Sequence, residues 1–249
     1  MKLKTVRVRR SNPSALALAL AMMLTMLCVY LISLSALPEK EAKTSASQPI
    51  STAELLMEGL DAGFLIYART SNQLEARVMA ARCAEGGGAG LILSDGGDYC
   101  VISSAAAIED TGTNDLKLQA GGLILKLQGS NEEITALTQA IDFLRTLAVE
   151  TGGLAASVEN GDTDLPSVCS LLEVYHTQGS RAKEGLEEIT TSSNVVKRLN
   201  NAVHAHLTRI DSAIDQPNLG KIKLIHAAAC AEWISILEDF ASTDASPIT

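Results

Sequence analysis

The residues here that could ligate a metal or carry nucleophilic chemistry are few and scattered. The four histidines are His176, His204, His206 and His226, and all fall in stretches of helical periodicity. His204 and His206 are two residues apart, so on a helix they point to different faces. His206 and His226 sit on apolar stripes, where a hydrogen-bonded core histidine is the expectation. Cys28, Cys83, Cys100, Cys169 and Cys230 are widely spaced and form no CxxC or Cys/His metal pattern; buried free thiols are expected. The glycine run Gly86-Gly87-Gly88-Ala89-Gly90 follows a helical pattern and precedes a strand. A phosphate cradle needs the reverse order, so this run reads as a helix stop. The pairs Glu109-Asp110, Glu132-Glu133 and Glu187-Glu188 read as solvated faces or helix-start charges, because a glycosidase needs two carboxylates facing one cleft. No catalytic residue, metal set or cofactor is expected, and the chain does not read as an enzyme.

Charge and hydropathy say where such a chain would work. Leu16 to Leu37 is an uncharged run of 22 residues between Pro13 and Pro38. As a helix it would extend roughly 33 Å at ~1.5 Å per residue, enough for a ~30 Å hydrocarbon core. Lys2, Lys4, Arg7, Arg9 and Arg10 precede it with no acidic residue. A cytoplasmic N-terminus (1–15), a transmembrane helix (16–37) and extracytoplasmic domains are expected. A cleaved signal peptide is the alternative, but the apolar run is long for one and Leu34-Ser35-Ala36 is a mediocre cleavage site. All 29 acidic residues follow the run, against 15 of the 20 basic ones. The outer part is therefore strongly acidic, which argues against nucleic acid as a partner.

Hydrophobic period divides the outer part. Residues 38–60 read as a linker, with a helical turn or two at AELLMEGL (53–60). A strand is expected within 62–70, then a helix from Gln73 to Glu85 capped by Ser71 or Asn72. In that helix Leu74, Val78 and Ala81 share one face, with Ala76, Ala80 and Cys83 beside it. Strands follow at 89–94 and 99–103, joined by an Asp95-Gly96-Gly97-Asp98 hairpin turn. Residues 104–119 are weakly helical, and 123–128 is a last strand. The order βαββαβ over 61–129 predicts an α+β unit, with helices on one face of a small antiparallel sheet. After Gly129 the period becomes helical. Ser130-Asn131-Glu132-Glu133 is a capping box, and four amphipathic stretches over 130–243 predict an antiparallel helical bundle, followed by a tail at 244–249. The switch at Gly129-Ser130 suggests two separable domains.

The α+β region resembles a known family. YARTSNQLEA, a helix ending in glycines, and AGLILSDGGDYCV are similar to the SPOR domain (sporulation-related repeat). Ser71, Asn72 and Ala76 match the family's first-strand pattern, and Asp95, Gly96, Tyr99 and Val101 its third-strand pattern. A single-pass anchor before such a domain is a common layout in that family. The chain departs from the pattern at Ile66, Ala68, Thr70, Cys100 and Ser104. The resemblance implies a βαββαβ fold and binding to peptidoglycan glycan strands, in cell-wall remodelling, division or sporulation. Tyr67, Arg69 and Tyr99 are the side chains left on the strands to bind glycan, with Tyr67 and Arg69 alternating away from Ile66 and Ala68. The alternative is a membrane-anchored structural or interaction protein that no longer binds glycan, its bundle contacting an envelope protein. In a SPOR-like layout the first helix lies over the sheet, so Cys83 and Cys100 approach. Layers about 10 Å apart rarely bring Cα atoms within the ~4.4–6.8 Å of a disulfide, and two reduced thiols are expected.

Overall fold

The structure is a computed structural model that describes residues 50–190 and 193–242. The basic N-terminus (1–15), the apolar run (16–37), most of the linker and the tail at 244–249 lie outside the described residues. Among the described residues, no helix is long and apolar enough to cross a membrane. The described part is an antiparallel β region with one helix, followed by a four-helix bundle.

The β region begins earlier than the periodicity suggests. Residues 53–60 do not form a helical turn; Ser51–Met57 is a strand, β1, so the linker stops well short of residue 60. Ala, Glu, Leu and Met favour helix locally, but pairing overrides that preference. β1 runs antiparallel to β6, Leu123–Gly129, along its whole length. The next strand, β2 (Leu60–Thr70), pairs with β5 (Leu116–Ala120) in the same register: Met57 faces Leu123, and Leu60 faces Ala120. The two pairings are therefore one long ribbon, interrupted by a bend at Glu58-Gly59 and Gly121-Gly122. The bend brings backbones into contact. A Cβ on Gly59 would lie 2.6 Å from the Ala120 carbonyl oxygen, and one on Gly122 would lie 3.0 Å from that of Met57.

Beyond the bend the ribbon joins a four-stranded sheet. Helix α1, Gln73–Glu85, follows β2, and strands β3 (Leu91–Asp95) and β4 (Asp98–Ala106) form the expected hairpin. Gly96 and Gly97 sit at φ +58° and +96°, the left-handed conformations a two-residue hairpin turn requires. The sheet order is β3-β4-β2-β5, the order of a split βαβ unit. The second crossover helix is missing: residues 104–119 hold the end of β4, a 3₁₀ turn at Ile108–Asp110, and β5.

The bundle helices are α2 (Asn131–Glu159), α3 (Leu165–Glu188), α4 (Asn194–Asp215) and α5 (Leu219–Ser242). Ser130 and Glu133 close the predicted capping box, with Glu133 N–H donating to Ser130 Oγ at 3.2 Å and Ser130 N–H to Glu133 Oε2 at 2.9 Å. Asp164 and Ser193 cap α3 and α4. The period switch at Gly129-Ser130 marks a change of secondary structure but not of packing. Phe64, Ile102 and Leu127 of the strands share one continuous core with Leu144, Trp233 and Leu237 of the bundle, and the described residues form one compact unit. The weld is at the bend. Trp233 is fully buried, and its Nε1–H donates to the Glu58 carbonyl at 3.1 Å. The Glu58 carboxylate pairs with Arg145 of α2.

Candidate functional site

The face on which each strand residue lies decides what the sheet can bind. Alternation along β4 puts Val101 on one face and Cys100 and Ile102 on the other. Val101 packs with Ala76, Ala80 and Cys83 of α1, and Tyr99, Ile92 and Ala68 border this cluster. The other face belongs to α5. That helix lies across β4, β2 and β5, and Ala62, Phe64, Cys100 and Ile102 are buried in the core it shares with them. The short connection after β4 reaches the α1 side at Thr111, whose side chain occupies the space beside Gly63 that a Cβ would take. α1 thus covers one face, with Thr111 of the second connection on that side, and the C-terminal helix covers the opposite one.

α1 itself is turned the other way from its apolar pattern. Its buried residues are Ala76, Ala80 and Cys83, whereas Leu74 is 71% exposed and Val78 47%. The N-cap is Asn72 rather than Ser71; its Oδ1 accepts from the N–H groups of Leu74 and Glu75.

The three residues expected to bind glycan are not brought together. Alternation on β2 breaks at a bulge: Ile66 faces Ile102 and Ala68 faces Val101, leaving Tyr67 without a cross-strand partner. Ser103 is skipped on β4 just before, and its hydroxyl donates to the Leu65 carbonyl at 3.1 Å. The expected sharing of a face by Tyr67 and Arg69 therefore has no regular alternation behind it. Tyr67 stands out at the bulge, 53% exposed. Arg69 is opposite Cys100, and its Nη2 pairs with Asp95 Oδ2 at 3.0 Å. Tyr99, one residue from Cys100, borders the α1 cluster on the other side.

Arg69 does line a recess. An open cleft of about 500 Å³ is bounded by Ile66, Arg69, Thr113, Asn114 and Asp115. Asp115 builds it: one carboxylate oxygen accepts the Ile66 N–H at 3.0 Å, and the other accepts the Gly112 N–H at 2.8 Å. In sequence, residues 112–115 fall within 104–119, which reads only as weakly helical. An Asp after Gly-Thr-Asn was the available signal of a turn that could cap a bulged strand.

The histidines are dispersed. His176 Nε2 is 3.0 Å from Asp211 Oδ1 between α3 and α4. His206 is fully buried with neither ring nitrogen partnered, and burial, aided by Arg209, pushes its pKa down to about 3. His226 Nδ1 is 3.3 Å from Thr151 Oγ1. Among the described residues no three His, Cys, Asp or Glu side chains converge as a metal site. Cys83, Cys100, Cys169 and Cys230 are free thiols. Cys83 packs on the α1 face and Cys100 on the α5 face, so the sheet lies between them.

The chain matches no family model, no curated protein and no solved structure.

Proposed function

We propose that this is a single-pass membrane protein of the cell envelope, without enzymatic activity, whose extracytoplasmic part is a structural or protein-interaction module built on a SPOR-like sheet. The uncharged run at 16–37 and the five basic residues before it support the anchor. The β3-β4-β2-β5 order, with α1 after the first strand of that sheet, supports the SPOR-like reading. One observation carries the choice of an interaction module: the sheet face opposite α1 lies under α5, with Phe64, Cys100 and Ile102 buried there. A glycan strand lying across the sheet would need that face. In this reading the chain has given the face to its own bundle, leaving the outer surfaces of the bundle helices to meet a partner.

The test is retention of residues 39–249 on purified, amidase-treated sacculi. No retention is the expected result. A second reading keeps glycan binding but confines it to the cleft of Ile66, Arg69 and 113–115, where a guanidinium, a hydroxyl and an amide stand together. Retention that is lost in the double variant Tyr67→Ala, Arg69→Ala would establish this second reading. Protease added to spheroplasts tests the anchor separately, since residues after Pro38 should be digested.

A further inference from the structure

A second, smaller cavity, of about 230 Å³, lies where the end of β4, the 3₁₀ turn, α2 and α5 meet. It has room for several water molecules, so its occupant would be a small molecule. Leu65, Ala105 and Ala155 give it apolar walls, and its polar side chains are His226, Lys223, Glu159, Asp110 and Ser104.

The hydrogen bonds around His226 fix what it offers. Thr151 donates its hydroxyl proton to the Leu147 carbonyl. Toward His226 Nδ1, 3.3 Å away, Thr151 Oγ1 can then only accept. Nδ1 therefore carries the ring proton, and Nε2 keeps a lone pair. The Cys230 thiol, 3.8 Å from Nε2 and as far from Nδ1, lies closer, at 3.4 Å, to the Ala148 carbonyl. Gly152 leaves the space beside this edge of the ring, where a Cβ would come within 2.8 Å of Nε2. Burial pushes the His226 pKa down to about 4, so the ring is neutral at pH 7. Lys223 Nζ is satisfied by Glu159 at 3.0 Å. Asp110 has no cationic partner among the described residues, so the cavity holds one uncompensated carboxylate at its rim and one unspent acceptor in its wall. The occupant that satisfies both is cationic and rich in N–H donors.

We propose that this cavity binds a small organic ammonium ion, whose N–H groups donate to His226 Nε2 and to the Asp110 carboxylate. The proposal does not depend on the membrane anchor or on the fate of the glycan face. It is tested with the full-length chain in detergent, by isothermal titration calorimetry at pH 7 with putrescine and with 1,4-butanediol as its uncharged counterpart. Saturable binding of putrescine, none of butanediol, and at least tenfold weaker putrescine binding in Asp110→Asn and His226→Ala support it. Asp110 is exposed on the turn, so its variant keeps the test decisive if His226→Ala does not fold. No heat with putrescine, equal binding of butanediol, or unchanged affinity in Asp110→Asn overturns it.

Discussion

At the scale of single residues, the buried histidines set the acid limit of this protein. His206 and His226 have pKa values near 3 and 4, below the ordinary 6.5, chiefly because burial disfavours the charged ring. The unfolded chain protonates both near pH 6.5, and the folded chain does not. Stability is therefore fully present well above pH 6.5 and falls as the pH drops through 6.5 toward 4. The loss is about 2 kcal/mol per histidine between pH 7 and 5, the slope approaching ~1.4 kcal/mol per unit below pH 6. Urea unfolding at pH 7 and pH 5 should register it, and His206→Leu should flatten the slope; an unchanged slope would mean that His206 is not buried neutral. Trp233 gives a second test. Trp233→Phe keeps most of the ring but strands the Glu58 carbonyl at the ribbon bend, and should cost about 1–3 kcal/mol in denaturant melts. Thiol titration of unreduced, denatured residues 39–249 should find all four of Cys83, Cys100, Cys169 and Cys230, because the sheet separates the two that α1 and β4 contribute.

At the scale of elements, α1 shows how a readable pattern can point the wrong way. Its length, its start and its glycine stop follow from local chemistry, and all are legible in QLEARVMAARCAE followed by three glycines. Its orientation is not, because the sheet accepts it through Ala76, Ala80 and Cys83, which carry little hydropathy. The larger Leu74 and Val78 face solvent. Leu74→Lys should therefore change stability by less than about 0.5 kcal/mol, whereas Ala80→Leu should overpack the helix against the sheet and cost about 1–3 kcal/mol. The reverse ranking in thermal melts would show that the helix is turned the other way. β1 was hidden for a different reason: helix-forming residues adopt a strand only because β6, some seventy positions later, lies opposite. The bulge at Tyr67 was equally hidden, and with it the breakdown of alternation among the candidate glycan residues. The Ser130–Glu133 box, by contrast, depends on nothing beyond four consecutive residues, and it was legible.

At the scale of the whole molecule, one core runs through sheet and bundle. The change of hydrophobic period at Gly129 reads as a domain border because sequence shows where secondary structure changes, not which faces meet. α5 packs on α2 and α4 with one side and on β2, β4 and β5 with another. Residues 130–243 made alone should be helical but would bare the side of α5 that the strands cover. Circular dichroism should show helix without a sharp melt, together with binding of a hydrophobic dye; a cooperative transition without dye binding would restore the two-domain picture. The same arrangement bears on how the protein is made. A chain that emerges from its N-terminus completes all four strands of the sheet by residue 120, yet their apolar face has no cover until the last helix, Leu219–Ser242, has followed. Contacts so distant in sequence slow folding. Throughout that interval the nascent molecule displays bare sheet, a surface that chaperones and proteases recognise, so any copy truncated before Leu219 carries its own mark of incompleteness.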